Sequence, residues 1–336
     1  MKTNNKKDDK NYGIAILRVI LSFMVVIDHF YKNKKKYVYL LYYHIPTFFL
    51  ISFYYTHKTL VKKNISKIKL RFERLIIPHF CWSIISLVLN NIYYYLFKRP
   101  CFHTLNHFVE NILNGHILIL PLWFQNILIL TTLIITIIIF LFKNRYLLIF
   151  LLLMILAYIF QYTGINYRFF KNHYNVHYYL TYGRFLDTLP NSITGFVIAS
   201  FSITKKLKNY KLYTIFLSIG ILVIITQYTF DKDLKSFKYG GLRLNIAAIC
   251  VFFIFFYLFD KIKSDKTKNC LEVLSNYTAG VYFVHYLIGR SLIMKLLFGK
   301  KLKTVFGCII IYFISYISCL IMDKIIGKTK LKHLIK

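Results

Sequence analysis

Residues 12–31 read YGIAILRVILSFMVVIDHFY. Only Arg18, Asp28 and His29 interrupt the apolar run. A lipid core offers no water to the backbone, so a chain that crosses it must pair its own amide groups, and about 20 apolar residues in an α-helix do so. This stretch therefore predicts a membrane-spanning helix. Its polar residues are placed with a period. Arg18 and His29 are eleven positions apart, which at about 100° per residue is three turns plus roughly 20°. Both project from one face, separated by about 16 Å along the axis, with Ser22 and Val25 between them. Asp28 points elsewhere around the helix but adjoins His29.

The same apolar character recurs along the chain. Spans are expected near 12–31, 37–56, 74–97, 119–142, 146–163, 184–202, 211–229, 241–259, 276–297 and 304–323. The predicted fold is all-α, a polytopic transmembrane helix bundle of about ten spanning helices. Composition agrees: 57% of the 336 residues are hydrophobic and 19% aromatic, the mean hydropathy is +0.52, and charged residues are 17% against a usual ~25%. A soluble core of this size has no room for that much apolar surface. No 20–50-residue repeat and no inverted repeat is visible.

The formal net charge is +33, with 45 Lys and Arg against 12 Asp and Glu. The basic residues fall in short runs between the apolar stretches, as in loops at an anionic membrane surface, and not along one amphipathic face as in a nucleic-acid binder. No nucleic-acid partner is expected. With the N-terminus inside, the inner segments carry more Lys and Arg than the outer loops, so both termini are expected in the cytoplasm. The expected layout is a cytoplasmic tail over 1–11, a membrane domain over 12–325 and a basic cytoplasmic tail over 326–336. The first span lacks a small-residue cleavage site and is read as retained. The six cysteines form no CxxC pair, and buried free thiols are expected, with no metal site.

Charge inside a span is expensive, so each instance needs an account. Arg18 either snorkels to the headgroups or offers a permanently charged fork to an anionic group. His29, with Asp28, is either a polar helix end or a proton-exchanging group near neutral pH. Arg71 and Arg74, in the basic stretch before the third span, are i,i+3 and share a helical face able to grip a phosphorylated ligand. Further polar residues within spans are His44 beside Pro46, His79 after Pro78, Trp123-Phe124-Gln125-Asn126, Arg184 with Asp187, and Asn276-Tyr277-Thr278 followed by His285. Trp123, Asp187 and His285 are further site candidates, although a lone histidine is more often a packing residue than a catalyst. There is no Walker lysine loop, GxSxG elbow or HExxH.

These residues, taken in order, resemble the integral-membrane acyltransferase 3 family. Arg18-x10-His29 is similar to its first-helix signature. Ile45-Pro46-Thr47-Phe48-Phe49-Leu50-Ile51-Ser52-Phe53 resembles its second-helix stretch, and Arg71-x-x-Arg74 followed by Pro78 resembles its RxxRxxxP run. Leu122-Trp123-Phe124 looks like the start of a central helix, and the segment from Ser275 to His285 resembles its late motif. The chain departs from the pattern at Phe53, where glycine is usual, at Gln125, where leucine is commoner, and at His79, which follows Pro78 in a usually aromatic or proline position.

The resemblance implies a membrane-bound O-acetyltransferase of about ten helices. Such an enzyme moves an acetyl or other acyl group from cytoplasmic acyl-CoA to a hydroxyl of a surface polysaccharide or lipid-linked sugar. No tightly bound cofactor is expected; acetyl-CoA or acyl-CoA is a cosubstrate, and the partners are the donor, the glycan acceptor and the bilayer of the cell membrane. Carried over by position, Arg18 and His29 are the essential pair, and Arg71 and Arg74 contact the CoA phosphates; Asp28, next to His29 in the chain, is a catalytic candidate on its own account, able to fix the imidazole tautomer. The alternative is a transporter or flippase for an anionic lipid-linked substrate, which uses the same basic loops and intramembrane charges.

Overall fold

The computed structural model describes residues 11–31, 43–96, 122–163, 183–206, 241–258, 264–290 and 303–335, together with 109, 112, 215–217, 219–220 and 262. The described residues contain helices and no strands. They are α1 (Tyr12–Phe30), α2 (His44–Val61), α3 (Ile65–Leu96), α4 (Trp123–Phe142), α5 (Tyr146–Tyr162), α6 (Arg184–Ser200), the single turn α7 (Ile203–Lys206), α8 (Leu242–Leu258), α9 (Asp265–Asn276), α10 (Thr278–Arg290) and α11 (Val305–Ile326). Two 3-10 segments, Lys143–Arg145 and Lys330–Leu334, complete them. The all-α bundle expected from the sequence is the fold.

Four helices among the described residues are long and apolar enough to cross a membrane: Tyr12–Phe30, Ile65–Leu89, Trp123–Phe142 and Val305–Ile326. Tyr146–Tyr162 and Leu242–Tyr257 are apolar but shorter. The expected span 211–229 lies mostly outside the described residues. Large apolar side chains cover the exterior, among them Leu151, Ile155 and Ile159 on α5 and Phe313, Ile317 and Ile321 on α11. In water such a surface would aggregate; against lipid tails it is the favourable surface. Hydroxyls inside the helices bond back to their own backbone, as Thr56 Oγ1 does to Ser52 O at 2.6 Å and Ser315 Oγ to Ile311 O at 2.6 Å. That satisfies them where water is absent.

Three apolar clusters hold the helices together. One joins α2 to α6 through Phe49, Phe53, Phe150 and Phe196. A second joins α1, α3, α10 and α11 through Val26, Trp82, Val281 and Tyr312. The third joins α1, α2 and α8 through Leu17, Leu21, Leu50 and Phe252. The most extensive helix contact is α2 with α6. It depends on Gly195, where a Cβ would lie 2.1 Å from Leu50 O; only hydrogen fits, as at close helix crossings in lipid.

Two segments add detail to the expected layout. The connection 57–73 is almost wholly helical: α2 runs on to Val61, the chain turns through Lys63 at φ 49°, and α3 starts at Ile65. No Gly or Pro interrupts 65–77, so α3 extends well before the apolar stretch and carries Arg71 and Arg74 as helical residues. The expected span 276–297 starts at Thr278 as α10, set off at Tyr277 from the preceding helix α9. Residues 291–302 lie outside the described part.

Candidate active site

A cavity of about 580 Å³ opens between α1, α2, α3, α4 and α10, within the ~300–1,000 Å³ of small-molecule sites. Its cations are Arg18, Lys67, Arg71 and Arg74, joined by His333, and no carboxylate is among its lining residues. Lys67 and Arg74 are exposed and Arg71 half-buried, so charge continues inward from a solvated mouth. Arg71 Nη2 donates to Ser52 Oγ on α2. Its charge feels those of Arg74 and Arg18. Three like charges around one concavity repel in its empty state, and an anion between them reverses the sign of that energy.

Deeper in, Arg18 Nη2 donates to Thr278 Oγ1 at 3.1 Å, and that hydroxyl donates in turn to Ser275 O at 2.9 Å. The break at Tyr277 is anchored from its other side, where Tyr277 Oη donates to Asp323 Oδ2 at 2.7 Å. The first residue of α10 thus holds the guanidinium at the cavity wall. The remaining walls are apolar or aromatic, including Phe48, Phe124 and Tyr282.

Pro78 in α3 lacks an N–H and pushes its ring against the preceding turn, which opens the helix there. Gln125 Nε2 donates to the Leu75 carbonyl of that turn at 2.9 Å. The departure from leucine at 125 therefore has a structural cause. His79 has one too: its Nε2 bonds Ile112 O at 2.9 Å, which ties α3 to the 98–118 connection. Phe53 fills the α2–α6 cluster and is fully buried.

The cavity lining runs along α1 as far as Val25 and along α10 as far as Tyr282 and Phe283. His29 stands one turn beyond Val25, and His285 two residues beyond Phe283. Their ring centroids are 5.3 Å apart, and Tyr286 stacks edge-on against His29 at 5.4 Å. Arg18 and His29 therefore face the same neighbour, α10, as their period predicts. His285 is fully buried. Its Nδ1 lies 2.9 Å from Val281 O; a carbonyl only accepts, so Nδ1 carries the proton and Nε2 the lone pair. Nε2 has no hydrogen-bond partner among the described residues.

Arg18, Arg71 and Arg74 thus come together at one cavity, while His29 and His285 pack against each other outside its lining, further along α1 and α10. Asp28 is buried on α1 outside the cavity lining. Trp123 is not a lining residue; the Arg184 guanidinium lies over its ring at 4.2 Å. Asp187 is buried in the first turn of α6, also away from the cavity, where a carboxylate suits the helix dipole. Sequence reasoning missed Ser52, Tyr282 and His333 as lining residues. Ser52 and Tyr282 lie inside motif stretches already singled out; nothing in the local pattern marks His333.

A lipid-embedded helical bundle enclosing a cation-lined cavity is the class that fold and site define. A family model described as an acyltransferase domain, Acyl_transf_3, matches residues 11–323, nearly the whole chain. The chain belongs to this family of membrane acyltransferases. No curated protein and no solved structure matches it significantly.

Proposed function

We propose that the protein transfers an acetyl or similar acyl group from cytoplasmic acyl-CoA to a hydroxyl of a surface polysaccharide or lipid-linked sugar. The observation that carries this reading is the charge of the cavity: four permanent cations, no carboxylate, and an aromatic interior leading toward paired histidines. CoA has the complementary form, with several phosphates at one end and a slim, uncharged pantetheine arm at the other. Arg71, Arg74 and Lys67 take the phosphates. The arm passes Arg18 toward His29. The mouth is the cytoplasmic end, in keeping with the basic residues around it.

The acceptor hydroxyl meets the thioester beside His29. The imidazole takes the hydroxyl proton as its oxygen bonds the carbonyl carbon. The C–S bond then breaks, the sulfur leaves as thiolate, and the imidazolium returns the proton to it. Arg18 sits where it steadies the donor arm. The His285 ring packs beside His29 and keeps an unpaired Nε2 lone pair at this end of the helices, and Asp28 adjoins His29 at the polar end of α1.

The test uses membranes holding the wild type or His29→Ala at matched protein level, supplied with labelled acetyl-CoA. Label should enter a surface-glycan or lipid-linked fraction only with the wild type, and that fraction names the acceptor class. Equal incorporation by His29→Ala would remove His29 from the mechanism. CoA left intact with native glycan present would overturn the donor assignment.

A further inference from the structure

One lining residue of the cavity comes from outside the bundle. After α11 the chain turns at Gly327, whose N–H donates to Asp323 O at 2.8 Å, and the 3-10 segment Lys330–Leu334 runs back across α3. Its seat is specific. Trp82 Nε1 donates to Leu334 O at 3.1 Å, and Leu334 and Ile335 are buried with Tyr277 and Val281. Gly280 on α10 makes the space: a Cβ there would lie 2.8 Å from Ile335 O and 2.7 Å from Cys319 Sγ. The backbone therefore holds the half-buried His333 at the cavity, on the same wall as Lys67, Arg71 and Arg74. The region matched to the family ends at residue 323, so this contribution lies beyond it.

We propose that residues 327–335 form a fixed wall of the donor site and that His333 is a ligand-positioning residue, contacting a phosphate of the acyl-CoA at the cavity mouth. The inference rests on the donor class proposed above. No described contact that seats the segment uses the imidazole: the seat is a main-chain carbonyl, two aliphatic side chains and a glycine gap. The side chain is thus available to a ligand. Its surroundings suit an anion. Arg74 and Lys332 press positive charge on it, and Glu73 opposes them, while Arg71 and Lys67 complete the mouth. A phosphate entering there compensates all of these cations at once, and a protonated imidazole then adds a charge-assisted hydrogen bond.

The experiment measures equilibrium binding of CoA to the purified full-length protein in detergent, by calorimetry, with thermal midpoints recorded for each variant. His333→Ala should weaken CoA about tenfold, as expected for one hydrogen bond to a charged group. His333→Lys should stay within about twofold of wild type, because a cation remains. If the wild type binds CoA and His333→Ala binds it equally, the phosphate contact is overturned and the donor assignment stands. The contact is equally overturned if His333→Lys loses as much as His333→Ala at an unchanged thermal midpoint. If the wild type binds no CoA, the donor assignment falls and the contact with it.

Discussion

Replacing Arg71 by glutamine should change affinity and stability in opposite directions. Arg71 stands in the field of Arg74 and Arg18 without a carboxylate among the cavity residues. A like charge at roughly 10 Å in an effective dielectric of about 20 costs about 1.7 kcal/mol before salt screening. Arg74 is exposed and partly screened by solvent, so the two neighbours together give about 1–2 kcal/mol of repulsion. Glutamine keeps part of the stem and a donor for Ser52 Oγ, so the Ser52 hydrogen bond loses at most about 1 kcal/mol. The empty Arg71→Gln protein should therefore unfold at the wild-type temperature or above it. The bound state moves the other way. A charge-assisted contact to phosphate is worth about 1.5–3 kcal/mol, so KM for acetyl-CoA should rise roughly 10- to 100-fold. In the proposed mechanism the acyl-transfer step occurs beyond Arg18, so kcat should hold. Steady-state transfer at varied acetyl-CoA, with thermal unfolding in detergent with and without CoA, reads both quantities. An unchanged KM together with a lower unfolding midpoint would refute the reasoning and make Arg71 a structural residue.

His285→Asn should lower kcat about 100-fold and leave KM for the donor unchanged, the signature of a group acting at the proton-transfer end; parallel losses in both constants would exclude that role. Gly195→Ala forces a methyl against Leu50 O and should cost about 1–3 kcal/mol, seen as a lower thermal midpoint and a broadened size-exclusion profile in detergent; wild-type behaviour would contradict the close α2–α6 crossing. A pH series tests His333. Burial, then Arg74 and Lys332, hold its pKa below the usual histidine value, with Glu73 opposing. An unliganded His333 is thus neutral near pH 7, and phosphate binding must supply its proton. Donor KM should accordingly rise as pH rises from about 5.5 to 7.5. His333→Lys should flatten that slope, with phosphate ionisation common to both proteins; identical slopes would exclude the imidazole.

Much of the candidate site could be read along one helix at a time. Arg18 and His29 share a face because eleven residues close three turns, and α10 lies along that face. Arg71 and Arg74 share another because they are three apart, and α3 begins early enough to keep both helical. His285, a lone apolar-span histidine, gained meaning only when α10 packed against α1 and brought its ring to 5.3 Å from His29. Trp123 and Asp187 lie in polar clusters of equal local promise, yet packing turns both away from the cavity.

Sequence alone determined that this chain is a helical bundle in lipid, because hydrophobicity over 20 residues and backbone hydrogen bonding are local properties. It also determined which charges lie on which helix face, through the 3.6-residue period. Only tertiary structure decided which faces meet. The carboxylate-free lining shared by Arg18, Lys67, Arg71 and Arg74 is a property of five helices together. His333 reaches it because Gly280 and Trp82, some 50 and 250 residues away in the chain, leave a seat for the segment that carries it. Contacts between such distant positions depend on shape complementarity, which no single stretch of sequence encodes.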